Sequence, residues 1–153
     1  MNIRELKIEN LIQNLEGETY SVTGLGYDEY GYPTITTDEF ETISQDPSSY
    51  SPIPLTEEIL LRFGFIKGYY NGGIDFKLYD FEITKGNDWE FFNYSTIDRD
   101  QDGINQCDIN IESVHQLQNL FFTLKEIELK RNNNYPKYTL DHNENGEMTI
   151  EFE

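Results

Sequence analysis

One cysteine, Cys107, occurs in 153 residues. That excludes an internal disulfide framework and fits a reducing compartment. No apolar run approaches the roughly 20 residues that span a bilayer. The start, MNIRELKIEN, lacks the apolar core of a signal peptide, so a cytoplasmic protein is expected. There is no HExxH, no CxxC and no GxxxxGK[ST]. Gly24 and Gly26 begin a G-x-G, but the third glycine of a dinucleotide fingerprint is absent. No cofactor is therefore expected, and the chain reads as non-enzymatic.

Basic residues are also scarce. Eleven Lys and Arg stand against 29 Asp and Glu, for a net charge of −18. Between Lys7 and Arg62 there is no Lys or Arg at all. The acids of that interval are Glu9, Glu16, Glu18, Asp28, Glu29, Asp38, Glu39, Glu41, Asp46, Glu57 and Glu58. Such a surface repels a polyphosphate backbone, so direct nucleic-acid binding is not expected. It suits a basic protein face or divalent cations, and it also keeps an aromatic-rich surface dissolved. The base that exists gathers late, at Lys125, Lys130, Arg131 and Lys137.

Aromatic residues are plentiful. Eleven Tyr and ten Phe are too many for a disordered chain. The length suits one domain with its own core. The expected class is α+β. A small curved N-terminal β-sheet or SH3-like barrel comes first, then an antiparallel sheet with two helices and a C-terminal hairpin. Within a single domain 1–153, a β subdomain 1–46 and an α+β subdomain 52–153 are expected.

The N-terminal strands are read from LKIENLI, LEGETYSVTGL and GYDEYGYPTITTDEF, with turns at Gly17, Gly26, Gly31 and Pro33. Three prolines mark SQDPSSYSPIP, residues 44–54, as a linker. Thr56 is placed to cap a helix whose apolar face is Ile59, Leu60 and Phe63, with Gly64 as its stop. A β-meander follows over 65–97. Ile74, Phe76, Leu78, Phe81 and Ile83 point inward, and the phase changes at Tyr79–Asp80. CDINI, residues 107–111, should pair back across a turn at 98–103. The second helix has Ser113 as cap and Val114, Leu117, Leu120, Phe121 and Leu124 as stripe. Asn145-Gly146 should turn a final hairpin.

DRDQDGINQCD, residues 98–108, opens like a calcium loop. Counted from Asp98, oxygen donors fall at positions 1, 3 and 5 and Gly103 at 6, but the carboxylate wanted at 12 comes one residue early, at Asp108. The flanks read as strands, not helices. A solvated hairpin turn is the preferred reading. If a metal binds, Ca2+ at Asp98, Asp100 and Asp102 is the expectation. Cys107 and His115 could approach each other, but the aspartates around Cys107 disfavour a reactive thiolate.

Tyr27, Tyr30, Tyr32, Tyr50, Tyr69 and Tyr70 fall in turn-rich segments, where tyrosines make rigid, amphipathic contact area. Tyr27, Tyr30 and Tyr32 are the candidate partner-binding residues. An anionic ligand would instead need Arg62, Lys67, Lys125 and Arg131.

IPLTEEILLRFGF (53–65) and VHQLQNLFF (114–122) together resemble a family of short proteins, without an assigned activity, from phages and mobile elements of gut Bacteroidota. Its members have a small β-rich start, an IPLTEEILL-like helix, strands of variable length and a late HQLQNLYF-like helix. This chain departs from the pattern at Glu9 in LKIEN, in TLKEIEL, and in its longer tail from Arg131. The resemblance implies a phage or mobile-element accessory protein in the host cytoplasm, and transfers no catalytic residue. The expected function is a binding protein acting on a host component. Counter-defence is one such role, by sequestering a small anionic signalling molecule or occluding a host protein. The alternatives are an acidic DNA-mimic inhibitor and a calcium-stabilised structural module. A homo-oligomer is compatible with all three, and a membrane partner with none.

Overall fold

In chain order the strands and helices are β1 (Leu11–Asn14), β2 (Thr19–Tyr27), β3 (Pro33–Thr37), β4 (Phe40–Gln45), β5 (Tyr50–Pro52), α1 (Glu57–Phe63), β6 (Ile66–Tyr70), β7 (Gly73–Leu78), β8 (Phe81–Gly86), β9 (Phe92–Asp100), β10 (Gly103–Ile111), α2 (Val114–Lys125), β11 (Tyr138–His142) and β12 (Met148–Phe152). They come from a computed structural model that describes residues 2–70, 73–86, 91–100, 103–130, 138–142 and 148–152. The class is α+β, as expected. The chain forms two compact units: Met1–Leu55 with Glu112–Leu129, and Thr56–Ile111 with Lys130–Glu153.

In the first unit the strand order is β4-β3-β2-β1-β5, with every observed pairing antiparallel. This is the connectivity of an SH3-like barrel. A long second strand pairs along both its halves, and a 3-10 turn, Pro47–Ser49, leads into a last strand that returns to the first. Register shifts in β2 between Val22 and Gly24. The extra residue lets Val22 and Leu25 share a face despite their odd spacing. Val22 lies opposite Thr37, and Leu25 opposite Ile35. Gly24 and Gly26 turn to the other face. A methyl group at Gly24 would meet Thr36 Oγ1 at 3.1 Å, so the Thr36 side chain would have to give way by a few tenths of an ångström. The core is Leu6, Ile12, Val22, Ile35 and Tyr50.

Two expectations are corrected here. LKIENLI is not one strand. Asn2 accepts from the Arg4 N–H, which starts a 3-10 turn at Ile3–Glu5, and Asn10 Oδ1 accepts from the Lys7 N–H at 2.8 Å. Glu9 takes a positive φ of 70°, so the strand begins only at Leu11. The stretch 44–54 is not a linker. Asp46 caps the 3-10 turn, with Pro47 at its start where no N–H is needed. β5 then runs along β1 as an edge strand, a position that tolerates Pro52. Tyr50, expected at a surface, is core. Helix α2 also belongs with this first unit.

The second unit begins as read. Thr56 Oγ1 accepts from the Ile59 N–H at 3.3 Å, and Gly64 closes α1 at φ 100°. The meander follows in order β10-β9-β8-β7-β6. At the predicted phase change Tyr79 adopts φ 57° and Leu78 pairs with Phe81, so a two-residue turn restarts the alternation. Phe76, Phe81 and Ile83 are buried, whereas Ile74 and Leu78 are half-buried. Phenylalanines fill the interior edge to face: Phe65 on Phe81 at 6.1 Å and Phe76 on Phe92 at 5.7 Å. β11 and β12 form the expected terminal hairpin, with Leu140 opposite Ile150. Its predicted turn, Asn145-Gly146, lies outside the described residues. Among the described residues no helix is long and apolar enough to cross a membrane.

Candidate functional site: the tyrosine hairpin

The β2–β3 turn is built by one carboxylate. Asp28 Oδ1 accepts from the N–H of Tyr30 at 2.9 Å and of Tyr32 at 2.8 Å. The Asp28 N–H donates to the Tyr32 carbonyl at 2.9 Å, and the Gly31 N–H to the Asp28 carbonyl at 3.0 Å. Gly31 supplies φ 84°, which a side chain would resist. The result is a locally braced loop whose side chains are left over for something else.

Those side chains are Tyr27, Tyr30 and Tyr32, exposed at 67%, 78% and 68%. Tyr27 faces Pro33 across the ladder, two pairs beyond Leu25 and Ile35. Facing residues share a side of the sheet. The side that is fully buried at Ile35 is therefore 36% exposed at Leu25 and open at Tyr27. The core face of the hairpin thus runs out from under the protein towards its tip. The sequence singled out these three tyrosines, and all three lie exposed on this one hairpin. Tyr50 is buried in the same unit, and Tyr69 belongs to β6 of the other unit.

The exposed acids of the hairpin turn itself are Asp28 and Glu29; Glu16 and Glu18 precede β2 and Asp38 and Glu39 follow β3, at the other end of these two strands, and Asp46 follows β4. Glu18 accepts the Tyr20 hydroxyl at 2.8 Å. That bond holds the Glu18 carboxyl below its ordinary range and pushes the Tyr20 phenol up.

The basic set reads differently. Arg62 is bonded to Glu58 one turn earlier on α1. Lys67 Nζ lies 2.7 Å from Glu57 and over the Tyr69 ring. Burial alone would lower the Lys67 ammonium, but its bonds to Glu57 and Tyr69 outweigh this and leave it raised. Lys125 ends α2 in the first unit, and Arg131 lies outside the described residues. Arg62 and Lys67 are thus already matched to carboxylates of their own unit.

Of the calcium candidates, Asp98 and Asp100 fall inside β9, and Gly103 pairs with Asp100. The ladder is continuous from there to Ile111 opposite Phe92. Only positions 101 and 102, Asp102 among them, lie between the strands and outside the described residues. The turn is therefore tighter than the 98–103 stretch expected. Among the described residues no group of three His, Cys, Asp or Glu is placed to hold a metal.

The polar residues of HQLQNL serve the fold. Gln116 Oε1 accepts from the N–H groups of Glu112 and Ser113 at 2.9 and 3.2 Å. Gln118 accepts from the Leu11 N–H at 2.9 Å and donates to the carbonyls of Glu9 and Leu129. Asn119 accepts from Asn10 Nδ2 at 3.0 Å and donates to the Glu5 carbonyl at 2.7 Å. His115 is buried, with Nδ1 3.1 Å from Ser113 Oγ, while Nε2 has no hydrogen-bond partner and lies 4.0 Å from Glu5. Burial lowers its pKa, and Glu5 partly offsets this. Set beside family models, curated proteins and solved structures, the chain matches none of them.

Proposed function

We propose that this chain is a non-enzymatic binding protein of phage or mobile-element origin that occludes a host protein, with the β2–β3 hairpin as its contact surface. The observation that carries the reading is the open face at Leu25, Tyr27 and Pro33, with Tyr30 and Tyr32 on a braced turn. Exposed aromatic rings on a rigid loop supply contact area at little entropic cost. The braced turn also limits the ordering penalty on binding. Occlusion fits better than sequestration of a small anion, because Arg62 and Lys67 are engaged by Glu58 and Glu57.

The test is site-specific crosslinking in the host. A photoreactive phenylalanine analogue at position 30 should yield one discrete protein adduct, and the same analogue at exposed Tyr79 should not. No adduct at position 30, or equal adducts at both, counts against the reading.

A second reading, acidic mimicry of DNA, is favoured by the exposed carboxylates of the first unit. It would depend on Glu and Asp rather than on the tyrosines. Competition by added DNA for the crosslinked partner separates the two.

A further inference from the structure

The charge and ring chemistry of the hairpin specify its occupant more narrowly than a protein surface in general. We infer that the β2–β3 tip docks an arginine-bearing cationic protein segment, seated on Tyr27, Tyr30 and Tyr32. This rests on the hairpin being the contact surface.

Three facts support the inference. First, a ring face attracts a cation, and this chain uses that attraction internally: Lys7 Nζ lies 3.6 Å from the Phe122 ring centre and Lys67 Nζ 5.2 Å from that of Tyr69. The hairpin tyrosines lie in the interval from residue 8 to 61, where the sequence supplies no Lys or Arg. A cation for them must come from nearby in space or from another chain. Second, Asp28 and Glu29 are exposed on the turn itself, in a chain of net charge −18, which favours the approach of a basic segment over an acidic one. Third, Leu25 and Pro33 border Tyr27 with apolar surface, which suits the aliphatic stem of a long basic side chain. Arginine is preferred to lysine because its planar guanidinium stacks on a ring and is less strongly hydrated.

A second copy of this chain is the competing occupant. A two-fold contact through this hairpin would place Asp28 and Glu29 of each copy against each other. It would do so between molecules of charge −18 each. Charge complementarity therefore favours a basic partner.

The test uses three eight-residue peptides that alternate serine with arginine, lysine or glutamine, titrated into the full chain by calorimetry at low and at physiological salt. The protein is compared with the Y27S/Y30S/Y32S variant, which leaves the charge unchanged. A circular dichroism melt of that variant checks that the fold survives, and the single variant Y30S serves if it does not. The arginine peptide should bind more tightly than the lysine peptide, and the glutamine peptide should not bind. The triple variant should lose about tenfold in affinity for the arginine peptide, and Y30S a smaller part of it. Equal affinity for wild type and tyrosine variants, or no binding of the arginine peptide to wild type, overturns the inference. So does a wild-type dimer in sedimentation that dissociates in the variant. A crosslinked host partner that contacts position 30 without a basic segment overturns this inference and leaves the contact surface standing.

Discussion

The N–H of Leu55 donates to the carbonyl of Glu112 at 2.9 Å. Beside them the Val114 N–H donates to the Ile53 carbonyl at 3.0 Å, and Pro54 bridges Ser113. The first unit is thus closed by segments from either side of α1 and the meander. The chain leaves it after Leu55 and rejoins it at Glu112.

Excision follows from this geometry. Replacing residues 57–110 by Asn-Gly and ending the chain at Lys130 joins two neighbouring antiparallel segments by a two-residue turn. The product should fold, unfold cooperatively on heating and keep a near-ultraviolet dichroism signal from Tyr20 and Tyr50, whose rings meet edge to face. A non-cooperative melt would show that the first unit needs the inserted one.

Gln118 is the polar linchpin of that unit. Gln118→Leu strands the Leu11 N–H and removes the donor to the carbonyls of Glu9 and Leu129. A loss of about 2–3 kcal/mol is expected, since each buried group left unpaired costs ~1–3 kcal/mol. Gln116→Ala, at an exposed cap, should cost ~1 kcal/mol or less. Urea unfolding midpoints compare the two, and equal losses would contradict the assignment.

His115 makes the first unit sensitive to acid. Its folded pKa lies below the ordinary 6.5, chiefly through burial. The unfolded chain therefore takes up the proton first. The stability this contributes is present above about pH 6.5 and is lost as pH falls towards the folded pKa. Between pH 7.5 and 5.5 the wild type should lose more stability than His115→Gln. Urea midpoints at both values measure the difference, and parallel pH slopes would remove His115 from the account.

Phe76 has no exposed surface and meets Phe92 edge-on. Phe76→Ala should cost ~3–5 kcal/mol by leaving a cavity in the meander. Phe76→Leu should cost less. Amide hydrogen exchange in β7 and β8 should report the loss locally, and unchanged protection there would argue against this core.

Legibility in the sequence followed the range of the interactions. Thr56, Gly64 and the turn at Tyr79 act on backbone a few residues away, so local pattern found them. β5 was missed because three prolines read as linker, and proline's tolerance on an edge depends on a partner strand, β1, far upstream. The bulge after Val22 broke the period of two that marks a half-buried strand. In α2 the apolar stripe named Leu124, which is exposed, and left out Gln118, which is buried. Its partners explain this: the Leu11 N–H and the Glu9 carbonyl lie 107 and 109 positions upstream, and no window along the chain shows both ends. The tyrosines of the hairpin were legible because their exposure is set within their own turn. That their face continues a core face was not, since it depends on register with β3.

Glu112–Leu129 completes a unit that Met1–Leu55 begins, which sets a schedule on the ribosome. The N-terminal strands emerge first but wait, without Gln118 to take up the Leu11 N–H, until α2 has been synthesised. β6 to β10 have all emerged by then, and their pairings are between sequence neighbours. The middle of this protein is thus able to finish folding before its beginning does.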